Sequence, residues 1–110
     1  ATVSPVLLSR LESLKQTTDD YQSILLQTLC DRLVEAGTEL MSNHMAEAYG
    51  WHGIRPAIGY PSLPDQKQIF KVAEMIDFAK VGISLTENGA MYPQSSVCGI
   101  LISNAQSKYF

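Results

Sequence analysis

Three stretches of the chain repeat apolar side chains at the spacing of an α-helix. The first begins at Ser4 and Pro5, a pair typical of a helix N-terminus, and is predicted to end near Gln16. Its apolar face consists of Leu7, Leu8, Leu11 and Leu14.

The second predicted helix is the longest element of the chain. Thr18, Asp19 and Asp20 are the candidates for its N-cap, and its pattern fades around residues 48–50. The spacing predicts one inward-facing stripe along its length. The residues of that stripe are Leu25, Leu29, Leu33, Ala36, Leu40 and His44.

A third helix is predicted to begin after Ser62 or Asp65 and to stop at Gly82. Its apolar stripe is formed by Ile69, Val72, Ala73 and Ile76 and ends at Lys80.

The rest of the chain has the period of β-strands. Residues 83–87 alternate, Asn88 and Gly89 offer a bend before residues 90–91, and residues 97–103 are rich in β-forming side chains. The predicted fold class is therefore α+β, with a long helix and two shorter helices packed on a small antiparallel sheet or hairpin.

Composition places the chain among globular proteins, because 45% of its residues are hydrophobic and 17% are charged. With 110 residues it is predicted to be one domain, residues 1–110. The net charge of −3 argues against nucleic acid as a partner. No apolar run approaches the roughly 18 residues of a membrane span, and residues 1–10 do not resemble a signal peptide, so we expect a cytoplasmic protein.

The cysteines and histidines give no strong signal. Cys30 and Cys98 are predicted to be reduced, buried thiols, and a disulfide is possible only if the fold brings them together. His44 and His52 have no companions at metal-ligand spacing, so no metal site is predicted.

Residues 50–64 differ from the rest, because their glycines, prolines and aromatic residues do not favour a regular element. Arg55 offers a planar fork of donors that suits a carboxylate. Ala57 and Gly59 let a ligand lie against the main chain, and Tyr60 adds a flat face and a hydroxyl group. Two readings remain equally open: a groove for a small, flat, charged ligand, or a stiff surface loop with Arg55 in a salt bridge.

Several motifs of this chain, taken together and in order, resemble the activation domain of cobalamin-dependent methionine synthase. The main one is Ile-Arg-Pro-Ala-Ile-Gly-Tyr-Pro at residues 54–61, and the resemblance covers roughly residues 19–110. The other matching segments are residues 19–21, 31–36, 64–65, 85–93, 96–99 and 107–109.

The resemblance implies a binding site for S-adenosylmethionine. Arg55 holds the ligand carboxylate in this family pattern, Glu35 lies near the cationic end of the ligand, and Tyr109 packs over it. The residues that the resemblance assigns to ligand contact are Glu35, Arg55, Pro56, Ala57, Gly59, Tyr60 and Tyr109.

The resemblance also implies a role and partners. In the family, the site offers the methyl group of S-adenosylmethionine to a cobalamin that oxidation has inactivated, while flavodoxin or a similar protein supplies the electron. The expected partner is therefore a methionine synthase or its cobalamin domain. We expect the chain not to be catalytic alone, since it shows no general base or nucleophile motif.

The family pattern is not matched everywhere. Gln66 stands where the family has histidine, residues 100–105 lack its aromatic side chains and His-Pro pair, and the portion that supplies an acidic residue for the ligand amine is not found. The chain is thus expected to be a shortened version of a larger domain. An alternative function is an interaction module that docks on a corrinoid protein or self-associates through a sheet edge near residues 97–102.

Overall fold

The computed structural model describes residues 1–17 and 20–109 and begins with two helices. α1 spans Pro5–Lys15 and α2 spans Asp20–Tyr49. The Oγ of Ser4 accepts a hydrogen bond from the backbone N–H of Leu7 at 3.3 Å, which confirms the predicted N-cap. For α2, the N-cap candidates Thr18 and Asp19 lie outside the described residues.

α3 begins as predicted from Asp65, whose Oδ1 accepts from the backbone N–H of Lys67 at 3.0 Å. A 3-10 turn, Gln66–Gln68, leads directly into α3, Ile69–Met75. A carboxylate at this point stabilises the first turn because it satisfies an otherwise unpaired N–H group.

The prediction that this third helix continues to Gly82 is wrong. The backbone of Ile76 is extended, and the Oδ1 of Asp77 accepts from the N–H of Ala79 at 3.1 Å. This local bond starts a separate 3-10 turn, Phe78–Val81. A short acidic side chain that bonds to its own neighbouring backbone competes with helix propagation, and here it prevails.

Within the residues that the structure describes, four short strands form two antiparallel pairs. β1, Gly53–Ile54, pairs with β4, Ile102–Ser103, and β2, Ser84–Leu85, pairs with β3, Met91–Tyr92. The second pair is a hairpin whose turn contains the predicted Asn88–Gly89 bend. The helices and the small antiparallel sheets confirm the α+β class.

The position of β1 corrects the expectation that residues 50–64 contain no regular element. Gly53 permits this strand, because a Cβ atom there would lie 1.9 Å from the carbonyl oxygen of Ile102 on β4. The glycine at this position therefore allows two strands to approach each other closely and does not form a turn. Within residues 97–103, only Ile102 and Ser103 form a strand.

The pairing of β1 and β4 continues beyond the two strands in an unchanged register. Gly53 faces Ser103, Ile54 faces Ile102, and an isolated bridge joins Ala57 to Gly99. Hydrogen bonds of 2.9 to 3.0 Å join residues 56 and 58 to residues 100 and 98 across the same pair of segments. The proline-rich motif is thus an extended segment held along its length by a partner.

One group of buried side chains packs beneath this motif, and we call it the loop-side core. Its most buried member is Ile69 of α3, with no exposed surface. It draws on the motif, α3, the second 3-10 turn, the residue before β2 and the segment before β4, so it fixes these five pieces to one another. Its residues are Ile58, Ile69, Phe78, Ile83 and Cys98.

A second, smaller group joins α2 to α1 and the segment before it, and we call it the helix-side core: Val3, Cys30 and Val34. Val97 packs against it, whereas the next residue, Cys98, belongs to the loop-side core. Successive side chains of an extended segment point to opposite sides, so one short segment is shared by both cores.

The predicted inward stripe of α2 is wrong in its direction. Leu25, Leu29 and Leu33 are half exposed and Leu40 is 72% exposed, while the neighbouring face with Cys30 and Val34 is buried. α2 carries apolar residues on both faces, and periodicity alone does not say which face the rest of the fold covers. In the described part of the chain, the buried face is the one that contacts α1 and Val97.

Cys30 and Cys98 lie in different cores, and both are free thiols. Burial is the main reason that the pKa of each thiol is raised above its ordinary value. Among the described residues, no three or more His, Cys, Asp or Glu side chains gather in an arrangement that could hold a metal ion. None of the described helices combines the length and apolar character needed to cross a membrane.

Candidate functional site

A cavity of about 550 Å³ separates α2 from the proline-rich motif. It brings together Glu35, Arg55, Ala57, Tyr60 and Tyr109, which are far apart in the sequence. The remaining lining residues are Thr38, Glu39, Pro61, Ser62 and Val97. A space of this size suits a ligand of cofactor dimensions.

Arg55 occupies the wall of the cavity and is held at both its backbone and its side chain. Its backbone N–H donates to the hydroxyl oxygen of Tyr109 at 3.0 Å. Its guanidinium group forms an ion pair with the Oε2 of Glu39 at 3.3 Å, and the side chain is only 24% exposed. The open reading of Arg55 in a salt bridge is therefore correct, and the same residue also lines the groove.

Two carboxylates from α2 face this cavity. Glu35 and Glu39 are one helical turn apart, so both project from the same side of the helix. Glu35 also pairs with Arg32 at 3.5 Å, in an exposed contact within the helix that contributes little to stability. The acidic side of the cavity thus comes from one rigid element.

Pro56 and Gly59 were predicted to contact the ligand but do not line the cavity. Pro56 is buried, and its carbonyl oxygen accepts from the N–H of Ile100 at 3.0 Å. Gly59 has a φ of +91° and donates its N–H to the carbonyl of Leu63 at 2.9 Å. Both residues shape the motif that presents Ala57 and Tyr60. At Gly59 the reason is its φ, which only glycine adopts without strain.

Gln66, the residue found where the resembled family has histidine, ties the motif to the hairpin. Its Nε2 donates to the carbonyl oxygen of Gly89 at 2.7 Å. A Cβ atom added to Gly59 would lie only 2.4 Å from the Oε1 of Gln66. The side chain therefore braces the far end of the motif.

A polar network beside the cavity fixes the segment that carries Val97. The Oγ of Ser95, which is 4% exposed, donates to the Oδ1 of Asp31 at 2.5 Å. The Nε2 of Gln27 donates to the same Asp31 oxygen at 3.0 Å and to Ser95 at 2.6 Å. Two residues of α2 thereby hold the loop after β3 against the helix.

Glu39 was not among the predicted site residues, although the sequence carries a signal for it. A carboxylate four residues after Glu35 on a helix lies on the same face, so one site residue on α2 predicts the other. Thr38 follows from the same helical spacing. Val97 and Ser62 had no such signal, because tertiary contacts alone bring them to the cavity.

The cavity combines four kinds of group that together suit a particular ligand chemistry. Arg55 offers cationic donors, the two glutamates offer anionic acceptors, the motif offers main chain at Ala57, and two tyrosines offer flat faces. These groups complement a molecule with a zwitterionic end and a planar end.

Comparison with known proteins gives two results. The family model described as vitamin B12 dependent methionine synthase, activation domain, matches residues 2–110. A crystal structure of the MetH reactivation domain bound to AdoHcy is similar to this chain, with a TM-score of 0.84 and 30% sequence identity. The similarity covers 94% of this chain and 38% of that chain, so the present chain spans well under half of that structure.

Proposed function

Because this chain belongs to the activation-domain family of vitamin B12-dependent methionine synthase, we propose that it binds S-adenosylmethionine and supports the reactivation of a cobalamin by methylation. The observation that carries this proposal is the single cavity lined by Glu35, Arg55, Tyr60 and Tyr109. The similar MetH structure is described as bound to AdoHcy, the product that remains when S-adenosylmethionine gives up its methyl group.

The proposed contacts follow from the chemistry of each group. Arg55 binds the carboxylate of the methionine part, because a guanidinium fork pairs with a carboxylate through two hydrogen bonds. Glu35 lies beside the cationic end of the ligand and compensates its charge. Tyr60 and Tyr109 pack against the adenosine part, and the backbone at Ala57 approaches it closely.

In the proposed reaction this chain contributes position and electrostatics. The methyl carbon leaves the sulfonium sulfur, the electron pair of that bond stays on sulfur, and S-adenosylhomocysteine forms. A cobalamin on another domain or protein would supply the methyl acceptor, and a one-electron donor such as a flavodoxin would keep its cobalt reduced. Holding the methyl group in line with its acceptor is the main contribution that a binding domain makes to such a transfer.

Isothermal titration of the 110-residue chain with S-adenosylmethionine, and separately with S-adenosylhomocysteine, tests the binding step. We expect saturable heat with both ligands, and a loss of about tenfold or more in affinity for Arg55→Ala, since a charged hydrogen-bond partner is removed. Arg10→Ala is the matched control, because Arg10 is exposed on α1 and does not line the cavity. A folded wild-type chain that gives no heat at millimolar ligand contradicts the proposal.

A second candidate function is self-association, which the exposed apolar face of α2 favours. Leu29, Leu33, Ala36 and Leu40 follow the alternating spacing by which two helices pack in a coiled coil. Light scattering after size exclusion tests this candidate. A monomer at all concentrations that still binds S-adenosylmethionine argues against it.

The remaining expectations stay predictions: a single domain over residues 1–110, a cytoplasmic location, and a methionine synthase or its cobalamin domain as partner.

A further inference from the structure

We propose that Glu39 binds the α-ammonium group of the ligand while Arg55 binds its carboxylate, so that the Glu39–Arg55 ion pair is the receptor for the ligand's zwitterionic end. This inference rests on the proposed function and adds a residue and a role to it. The resemblance to the family assigns no ligand contact to Glu39.

The geometry of the pair supports this role. The Arg55 guanidinium and the Oε2 of Glu39 are 3.3 Å apart, and both residues line the cavity. An α-amino acid carries its ammonium and carboxylate groups on the same carbon atom. When the ligand carboxylate approaches Arg55, its ammonium therefore reaches the side of Arg55 on which Glu39 lies, and opposite charges alternate around the four groups.

The pair also has bonding capacity left for a ligand. A guanidinium group has five N–H donors, and a carboxylate has about four acceptor positions. The contact between them occupies one Arg55 nitrogen and one Glu39 oxygen. Glu39 is 68% exposed, so a ligand gains access to its carboxylate without displacing a packed side chain.

The spacing of the two glutamates separates their tasks. Glu35 lies four residues, or about 6 Å, before Glu39 along α2. In S-adenosylmethionine a short saturated chain separates the ammonium group from the sulfonium. With Glu39 at the ammonium, Glu35 lies farther along the ligand, toward the sulfonium.

A different role for Glu39 makes a different prediction. If Glu39 only orients Arg55, it influences ligands through their carboxylate and has no effect on a ligand that lacks one. Three ligands separate the two roles. S-adenosylhomocysteine carries both groups, its decarboxylated analogue carries the amine alone, and 5′-methylthioadenosine carries neither.

The experiment measures the affinities of these three ligands for the wild-type 110-residue chain, Glu39→Gln and Glu47→Gln. Glu47 is the matched control, because it lies two turns farther along α2 and does not line the cavity. For Glu39→Gln we expect about fivefold weaker binding of S-adenosylhomocysteine and of its decarboxylated analogue, the size of a partly exposed ion pair. Binding of 5′-methylthioadenosine by the same variant remains unchanged, and Glu47→Gln resembles wild type with all three.

Each other outcome overturns a specific claim. Weaker binding of S-adenosylhomocysteine alone shows that Glu39 acts only through Arg55. An equal loss for all three ligands shows that Glu39 supports the shape of the cavity. Unchanged binding of all three removes Glu39 from the site but leaves the proposed function intact. A wild-type chain that binds none of them overturns the proposed function and this role together.

Discussion

The two sides of the cavity are built by different means. The loop side rests on an apolar core that includes Ile69, with no exposed surface, and on a backbone ladder between the motif and the segment leading to β4. The helix side rests on a smaller core of Val3, Cys30 and Val34 and on a polar network centred on Ser95.

This difference matches the two tasks of the cavity walls. A loop that presents its own main chain to a ligand needs a fixed backbone, and dense apolar packing together with ladder hydrogen bonds supplies it. A helix needs no such support to keep its backbone regular, so only its placement has to be specified. Hydrogen bonds with defined direction serve that purpose.

The largest expected effect separates the two cores by their contribution to stability. Ile69→Ala removes a fully buried side chain from the loop-side core and should lower the free energy of unfolding by about 3 kcal/mol. Val34→Ala in the helix-side core removes fewer methyl groups, and we expect a loss of about 1.5 kcal/mol. Urea unfolding followed by circular dichroism measures both, and a larger loss for Val34→Ala would reverse the comparison.

Two glycines extend the comparison to the backbone, with effects of opposite sign. Gly59→Ala forces a side chain into a left-handed conformation, φ +91°, and should cost about 1.5 kcal/mol. Gly37→Ala lies in α2 with nothing within 4 Å of the new Cβ, and helix propensity should raise stability by about 0.8 kcal/mol. Thermal melting of the two variants gives the signs, and a stabilised Gly59→Ala would refute the account of the motif.

The polar network offers a smaller change that reports on placement of the helix. Ser95→Ala removes the partner of both Asp31 and Gln27, and we expect a cost of about 1 kcal/mol together with weaker ligand binding. Ser84→Ala, at an exposed position on β2, is the control. If unfolding and ligand affinity were both unaffected by Ser95→Ala, the network would not be what positions α2.

The smallest effect concerns the two thiols and depends on pH. The pKa of each thiol is raised in the folded chain above the ordinary value of 9.0, so at neutral pH both resist a thiol reagent until the protein unfolds. The unfolded state releases these protons first as the pH rises. The stability that the neutral thiols contribute is therefore complete below pH 9.0 and is lost above it.

Labelling with a disulfide reagent at increasing urea concentration, followed by mass spectrometry of the digested chain, distinguishes the thiols by core. Reaction of Cys30 before Cys98 would show that the helix-side core opens first, as its smaller size suggests. Rapid labelling of either thiol under native conditions would contradict the burial of that thiol.

The sequence predicted those parts of the fold that local signals determine. Ser4 and Asp65 mark helix starts because their side chains bond to nearby backbone groups, which needs no distant partner. The same kind of local bond at Asp77 also explains why α3 ends early, although helical periodicity concealed it. The face of α2 and the strand at Gly53 depend on elements distant in the chain, and no local pattern reveals them.

The site shows the same division. The resemblance to the family, through the motif and the segment 107–109, led to Arg55, Tyr60 and Tyr109, and the structure brings these together at one cavity. Residue patterns alone did not decide between a ligand groove and a salt bridge at Arg55. The structure contains both, because the Glu39–Arg55 ion pair lines the cavity. Pro56 and Gly59 were assigned to the ligand, yet their positions are set by the ladder and by a turn.

The unchanged register between the motif and the segment leading to β4 limits how this region can vary in length. From Gly53 to Ala57, each step along one segment matches a step back along the other. One inserted residue would turn every later side chain of the motif to the opposite side, so that cavity and core residues would exchange places. Length changes are therefore admissible between the end of α2 and β1, where a linker precedes the ladder, and not within it.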